Sequence, residues 1–218
     1  MALAIFDLDN TLIAGDSDHG WGEFLANRKV VDPVHYRAMN EKFYQDYQHG
    51  RLDIREYLAF ALKPLAQLPQ EELVALHRAF MEEVIQPLWL PRAVELVQHH
   101  RQRGDLLMVI TSTNRFIAEP ICHRLGIHEL LATELVTVNG RYTGEVLGTP
   151  TYREGKVVRL KQWLEETGHS LQGSYFYSDS INDLPLLEVV DNPVVVDGDA
   201  SLKAVAAERG WPLMSLRG

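Results

Sequence analysis

The chain is expected to fold as an α/β protein, a parallel sheet sandwiched by helices, with an all-helical segment inserted after the first strand. Three observations point there. Short aliphatic runs recur along the sequence, "LAIF" (3–6) and "LLMVIT" (106–111) most clearly, and are too short for helices but apolar enough for strands buried on both faces. Longer amphipathic stretches lie between them. Four of these stop at a glycine, the residue that most readily takes the left-handed conformation closing a helix.

Taken in order, the first strand is 3–6. Residues 16–88 then hold only helical patterns, such as "VHYRAMNEKFYQDYQ" and "QEELVALHRAFMEEVI", broken by Pro33, Gly50, Pro64, Pro69 and Pro87. A helix over 91–103 ends at Gly104, the strand 106–111 follows, and a helix over 114–125 ends at Gly126. "ATELVTVNGRYTGEVLG" (132–148) is strand-like on both sides of Asn139-Gly140, a strong hairpin signal, and reads as an antiparallel flap or sheet extension. A helix over 154–167 ends at Gly168, "SYFYS" (174–178) and "PVVV" (193–196) are weaker strands, and a helix over 199–209 ends at Gly210. The expected organisation is a core of 1–15 and 89–218 with a helical cap of 16–88. Ligands of open α/β sheets sit at the carboxyl ends of the strands, so a module inserted after strand one hangs over the site as a lid.

Composition narrows the function. The 218 residues are 46% hydrophobic and 23% charged, with a formal net charge of -9. That charge disfavours nucleic acid and anionic membrane as partners. No apolar run approaches the length of a membrane span, and the N-terminus has no basic leader, so a cytoplasmic protein is expected. The single Cys122 can form no internal disulfide and reads as a buried, inert thiol. Nine histidines are scattered without zinc-type spacing, and neither GxGxxG nor GxxxxGK[ST] occurs. Oligomeric state is left open.

Polar groups follow the strands. Asp7 and Asp9 come after "LAIF", Thr111 and Ser112 after "LLMVI", and Asp179 after "SYFYS", with Asn182 and Asp183 beyond it in "SDSINDL" and Lys156 at the start of a helix. A parallel sheet brings them to one edge. Clustered aspartates surrounded by oxygen suit a hard divalent ion, Mg²⁺ above all. Such an ion with Lys156 would neutralise the charge that keeps a carboxylate from attacking a phosphate, so the chemistry suggested is phosphoryl transfer. The other readings are that Asp9-Asn10-Thr11 is a turn with a cap, and that Lys156 is a solvated surface lysine.

"FDLDNTL", the Thr111-Ser112 pair, Lys156 and "SDSINDL" resemble, in order and over nearly the whole chain, the four motifs of the haloacid dehalogenase superfamily. The inserted helices resemble the cap of its phosphoserine phosphatase-like branch. The resemblance implies a Rossmann-like core and an Mg²⁺-dependent phosphatase acting on a small-molecule phosphomonoester. It implies Asp7 as the nucleophile that becomes aspartyl phosphate and Asp9 as the acid and then the base. It further implies Mg²⁺ held by the Asp7 side chain, the Asp9 carbonyl and Asp179, Thr111 and Lys156 at the phosphoryl oxygens, and Asn182 and Asp183 in support of phosphate and metal.

The second motif departs from the pattern: phosphoserine phosphatases have serine and two glycines where this chain has Thr111-Ser112-Thr113-Asn114, which puts phosphoserine in doubt as substrate. Asp16 matches the acid that holds the substrate ammonium in those enzymes; the competing reading is a cap for a helix starting near Trp21. If Asp16 reaches the site, amine-bearing esters fit: phosphoserine, histidinol phosphate, phosphoethanolamine or phosphocholine. More than half of the chain's Phe, Tyr and Trp fall within 15–89, and an aromatic, acidic lid favours the imidazole-bearing member. Two further readings stay open, a phosphotransferase on the same fold and a receiver-like phospho-aspartate signalling domain.

Overall fold

The computed structural model describes residues 2–218. Strand β1 (Leu3–Phe6) is followed by five helices: α1 (Ser17–Asn27), α2 (Pro33–Gln48), α3 (Ile54–Ala61), α4 (Lys63–Gln67) and α5 (Gln70–Phe80). A π turn (Met81–Ile85) and a 3-10 turn (Gln86–Leu88) lead back to the sheet. Then come α6 (Pro91–Gln102), β2 (Leu106–Asn114), α7 (Arg115–Arg124), β3 (Glu129–Val138), β4 (Arg141–Leu147) and α8 (Glu154–Thr167). The chain ends with β5 (Tyr175–Ser178), a 3-10 turn (Ile181–Asp183), α9 (Leu184–Leu187), β6 (Asn192–Val196), α10 (Ala200–Arg209) and β7 (Leu213–Met214).

The seven strands run β4-β3-β2-β1-β5-β6-β7, parallel throughout except β4. Alternation along each strand builds two cores. Ala4, Phe6 and Val109 face α6 and α7 through Ala93, Val97, Ile117 and Ile121. Leu3, Ile5, Met108 and Ile110 face α8, α9 and α10 through Leu160, Leu186, Leu187, Leu202 and Ala206. Because β1 lies between β2 and β5, its carboxyl end is flanked by theirs.

The helical insertion follows the expectation, but its first helix is not remote from the sheet. Trp21, Phe24 and Leu25 of α1 pack with Phe80 and Ile85 into the same core as Phe6 and Ile117. A separate small core, Leu58, Leu62, Leu65 and Leu73, packs on Leu135, Tyr142 and Val146 of the β3–β4 hairpin. The hairpin therefore props α3 and α4. Its turn carries Asn139 and Gly140 at φ 52° and 76°, the left-handed pair such a turn requires.

Three boundaries differ from expectation. Helix α1 starts at Ser17, because Asp16 caps it by accepting from the His19 N–H at 2.8 Å. Strand β2 runs past Thr111 to Asn114: Asn114 pairs with Thr133, and Thr133 Oγ1 donates to the Ser112 carbonyl at 2.9 Å. Strand β7, two residues long, was too short to show a pattern; Val195 N–H and Asp197 N–H donate to Pro212 and Met214, each at 3.0 Å.

At the opposite end of the sheet His100 is buried between Asp105 and Tyr177. Its Nδ1 lies 2.9 Å from Asp105 and its Nε2 2.8 Å from the Tyr177 hydroxyl. Burial holds the imidazole below its ordinary range despite the carboxylate. A neutral ring satisfies both contacts, donating from Nδ1 and accepting at Nε2. Asp105 is held down against its own desolvation by hydrogen bonds from His100 and the Ala2 N–H. Both folded-state values are thus depressed, so the stability these groups contribute is present above their unfolded-state values and is lost as pH falls through the folded ones. His100→Leu is expected to cost about 1–3 kcal/mol for each group left unpaired and to weaken the loss of stability below about pH 6.5, the unfolded imidazole's range. Denaturant unfolding at pH 5 and pH 7.5 checks both.

Candidate active site

Asp7 follows the last residue of β1, and its N–H donates to the Tyr177 carbonyl at 2.9 Å, so the first turn beyond the strand is still held by β5. Asp179 follows β5, and Asp183 closes the 3-10 turn after it. Lys156, in the first turn of α8, is only 1% exposed. Its ammonium donates to Asp7 Oδ1 at 2.7 Å and reaches both oxygens of Asp183 at 2.7 and 2.8 Å. The solvated-lysine reading fails on that burial. Gly155 makes the placement possible: a Cβ there would stand 2.0 Å from the Pro150 carbonyl oxygen, so only glycine lets α8 begin this close to the preceding loop.

Asp9 is held separately. Its Oδ1 accepts from the Ser17 N–H at 2.6 Å and its Oδ2 from the Thr113 hydroxyl at 2.7 Å, with Thr111 Oγ1 at a long 3.5 Å. The first turn of α1 and the β2 extension therefore fix one carboxylate between them. Thr111 is anchored from behind, its carbonyl accepting from Thr151 Oγ1 at 2.6 Å. Thr11 Oγ1 donates to Asp179 Oδ1 at 3.2 Å, and Ser178 Oγ to Asp183 Oδ2 at 2.7 Å.

Over these groups lies a cavity partly open to solvent. Asp7, Asp9, Thr111, Ser112 and Thr113 line its floor; Asp16, Asp18, His19, Phe43, Tyr44, Tyr47, Tyr57 and Tyr152 are among its walls. Among the described residues, those lining it include four carboxylates and no Lys or Arg. His19 adds no reliable positive charge, since burial holds its imidazole low. Asp16 is both a helix cap and a wall of this cavity, so the two readings of it are compatible.

Burial sets the electrostatics. It pushes Asp7 up to about 7, against the pull of Lys156 and with the help of Asp183 and Asp9. It raises Asp9 too, opposed by hydrogen bonds from Ser17 and Thr113. Asp179 stands well above the carboxylate range through burial and then the charges of Asp7 and Asp183. Asp16 is raised by burial and by Asp9, and Asp18 is pushed up to about 7 by burial. Lys156 is the exception: burial works against its charge, but Asp183 and Asp7 outweigh it and hold the ammonium charged.

Asn182, expected at the substrate, is engaged elsewhere. Its Nδ2 donates to the Tyr47 carbonyl at 3.0 Å, its Oδ1 accepts from Arg153 Nε at 3.1 Å and from the Tyr152 hydroxyl at 3.2 Å, and it does not line the cavity. Arg153 also donates to the Gly50 carbonyl. Together they clasp the end of α2 to the loops bearing Lys156 and Asp183. Arg153 sits at φ 50° and ψ -121°, a strained conformation for a non-glycine residue. Reading the sequence for motifs also missed Thr113 and Ser17, which hold Asp9: one acts from a strand extension without apolar pattern, the other through its backbone.

A sheet-edge carboxylate bridged to a buried lysine under inserted helices defines a class, and the family comparison agrees: the haloacid dehalogenase-like hydrolase model matches residues 4–188. The chain belongs to that family and is a phosphatase. It is 52% identical over 219 residues, covering 99% of both chains, to a protein of Neisseria meningitidis serogroup C named histidinol-phosphatase. It is 32% identical, over 99% of this chain and 71% of the other, to one of Mycobacterium tuberculosis named phosphoserine phosphatase. Among solved structures, a Bordetella pertussis protein of unknown function superposes with a TM-score of 0.92 at 42% identity, covering 99% of this chain and 98% of that one. A phosphoserine phosphatase in its phospho-aspartyl analogue form gives 0.73 at 18%, covering 99% and 93%, a likeness of fold. The α/β fold with a helical insertion stands, and the receiver-like alternative falls.

The raised Asp179 carboxylate works against the fold, because a carboxylate whose folded-state value lies above its unfolded one costs stability once pH exceeds the unfolded value. In chelator at pH 8, Asp179→Asn is expected to melt no lower than wild type. A Tm several degrees lower would show that its contacts outweigh the repulsion.

Proposed function

We propose that this protein is an Mg²⁺-dependent phosphomonoesterase working through an aspartyl-phosphate on Asp7, with an amine-bearing substrate of which histidinol phosphate is the best fit. The observation that carries the reading is the distribution of charge: four carboxylates line the cavity, no Lys or Arg does, and the buried Lys156 ammonium bonds Asp7 and Asp183.

The donor set suits a hard ion. Asp7, Asp179 and Asp183 are buried or nearly so around a single ammonium, and burial, helped by mutual repulsion, raises Asp7 and Asp179, a cost that a divalent cation relieves. Among the described residues no group of three His, Cys, Asp or Glu side chains converges as metal ligands. Mg²⁺ does not need one, since it keeps several waters and takes one or two carboxylates. Asp7 and Asp179 with the Asp9 carbonyl would hold it. When bound it would supply charge neutralisation for the phosphoryl group and keep Asp7 ionised.

The remaining steps belong to the chain. An Asp7 carboxylate oxygen attacks phosphorus, forming the O–P bond as the ester O–P bond breaks. Asp9, whose burial favours the protonated acid, gives its proton to the departing oxygen. It then takes a proton from the water that attacks the aspartyl phosphate, which returns Asp7 and releases phosphate. Lys156 keeps Asp7 oriented and offsets the incoming charge, and Thr111 and Ser112, on the cavity floor, would donate to phosphoryl oxygens. Residues 16–88 act as a cap on the 1–15 and 89–218 core, excluding water, with Asn182 and Arg153 as its clasp.

The substrate's organic end should be cationic. The relative named histidinol-phosphatase supports an amino-alcohol ester bearing an imidazole. Phosphoserine fits less well, because its carboxylate would meet Asp16 and Asp18 with no cationic side chain in the wall to receive it.

Phosphate release from histidinol phosphate, phosphoserine, phosphoethanolamine and a sugar phosphate, with and without Mg²⁺, tests this. Histidinol phosphate should show the highest kcat/KM, release should need Mg²⁺, and Asp7→Asn should lower kcat by about 10³-fold or more, as expected for loss of a covalent nucleophile. A sugar phosphate turned over fastest, or full activity in Asp7→Asn, would overturn the proposal.

A further inference from the structure

The cavity walls hold more acid than one ammonium needs. Asp16 and Asp18 both stand on the first turn of α1, yet they face different neighbours. Asp16 lies toward the floor, where Asp9 is its strongest charged neighbour and Tyr44 feels its charge. Asp18 stands beside the Tyr57 hydroxyl and its charge reaches Tyr36, although Asp9 acts on it as well. Tyr57 itself packs edge-on against Phe43 with ring centroids 5.4 Å apart, and both line the cavity. His19, in the same wall, leaves its buried Nδ1 without a partner. Asp18, beside a floor that already carries Asp7 and Asp9, has no positive side chain lining the cavity with it. A cationic group on the ligand would find acid on both sides and no competing side-chain cation.

Resting on the phosphatase reading above, we infer that Asp18 is a specificity-determining residue: with Tyr57 and Phe43 it forms a second cation subsite, separate from Asp16. The substrate class this cavity takes is then an ester with two basic nitrogens and no carboxylate, one nitrogen near the reacting end at Asp16 and one on a flat ring at the cap end. Aromatic faces accept a cationic ring, and the carboxylate accepts its N–H. The same subsite rejects an ester whose organic end carries a carboxylate, by like-charge repulsion in a partly desolvated space.

The test compares Asp18→Asn with wild type on histidinol phosphate, which has both nitrogens, and phosphoethanolamine, which has only the amine; p-nitrophenyl phosphate, which has neither, reports the chemistry itself. Asp18→Asn should lower the ratio of kcat/KM for histidinol phosphate over phosphoethanolamine by about tenfold or more, the worth of one charge-assisted hydrogen bond, with the change in KM and not kcat. Tyr57→Phe should move the ratio the same way by less, and covers the case in which Asp18→Asn does not fold. An unchanged ratio in both variants, or equal losses on both substrates, would overturn the inference. Absence of Mg²⁺-dependent release from all three esters by wild type would instead overturn the phosphatase reading.

Discussion

One buried ammonium between two carboxylates fixes the geometry on which the rest depends. Lys156 touches Asp7 and Asp183 together, and those residues stand at the ends of β1 and β5. Without the lysine, two carboxylates would share a nearly dry site uncompensated, a state that in other proteins costs several kcal/mol per ion. With it, three segments far apart in sequence are tied at one point. The site remains crowded with acid, because Asp179 and Asp9 add two more buried carboxyls whose raised values Lys156 offsets only in part. That acidity is the functional property of the site, for a cation bound there relieves it.

The same constraint explains how the inserted helices are attached. Helix α1 reaches down into the main core through Trp21 and Phe24 and holds Asp9 from its first turn through the Ser17 N–H. At the other side, Asn182 and Arg153 bind the backbone of Tyr47 and Gly50. Both attachments spring from segments that carry site residues, so the position of the helices and the geometry of the floor are coupled. The hairpin adds a third support through Leu135, Tyr142 and Val146, far from the chemistry.

Much of this was legible in the sequence. The strand at 3–6 and the helices ending at Gly104, Gly126, Gly168 and Gly210 carry strong local signals, the strand at 174–178 a weaker one, and the structure places elements there. The acids at the strand ends were legible because a parallel sheet sends every strand's carboxyl end to one edge. What was hidden depended on partners distant in sequence. The continuation of β2 through Asn114 is imposed by pairing with Thr133, not by any apolar pattern of "TSTN". Asn182 looked like a ligand of phosphate but serves the clasp, a role set by Tyr47 of a separate helix. Asp18 gained meaning only when Tyr57 and Phe43 were seen around the same cavity.

The account stands on Asp7 carrying the phosphoryl group. Reacting the enzyme with substrate and Mg²⁺, quenching in acid during turnover and reducing with borohydride would convert an aspartyl phosphate to homoserine. Peptide mass spectrometry should then find homoserine at position 7 and unmodified aspartate at 9, 179 and 183. Steady release of phosphate with Asp7 never modified, or with homoserine at another position, would contradict the account.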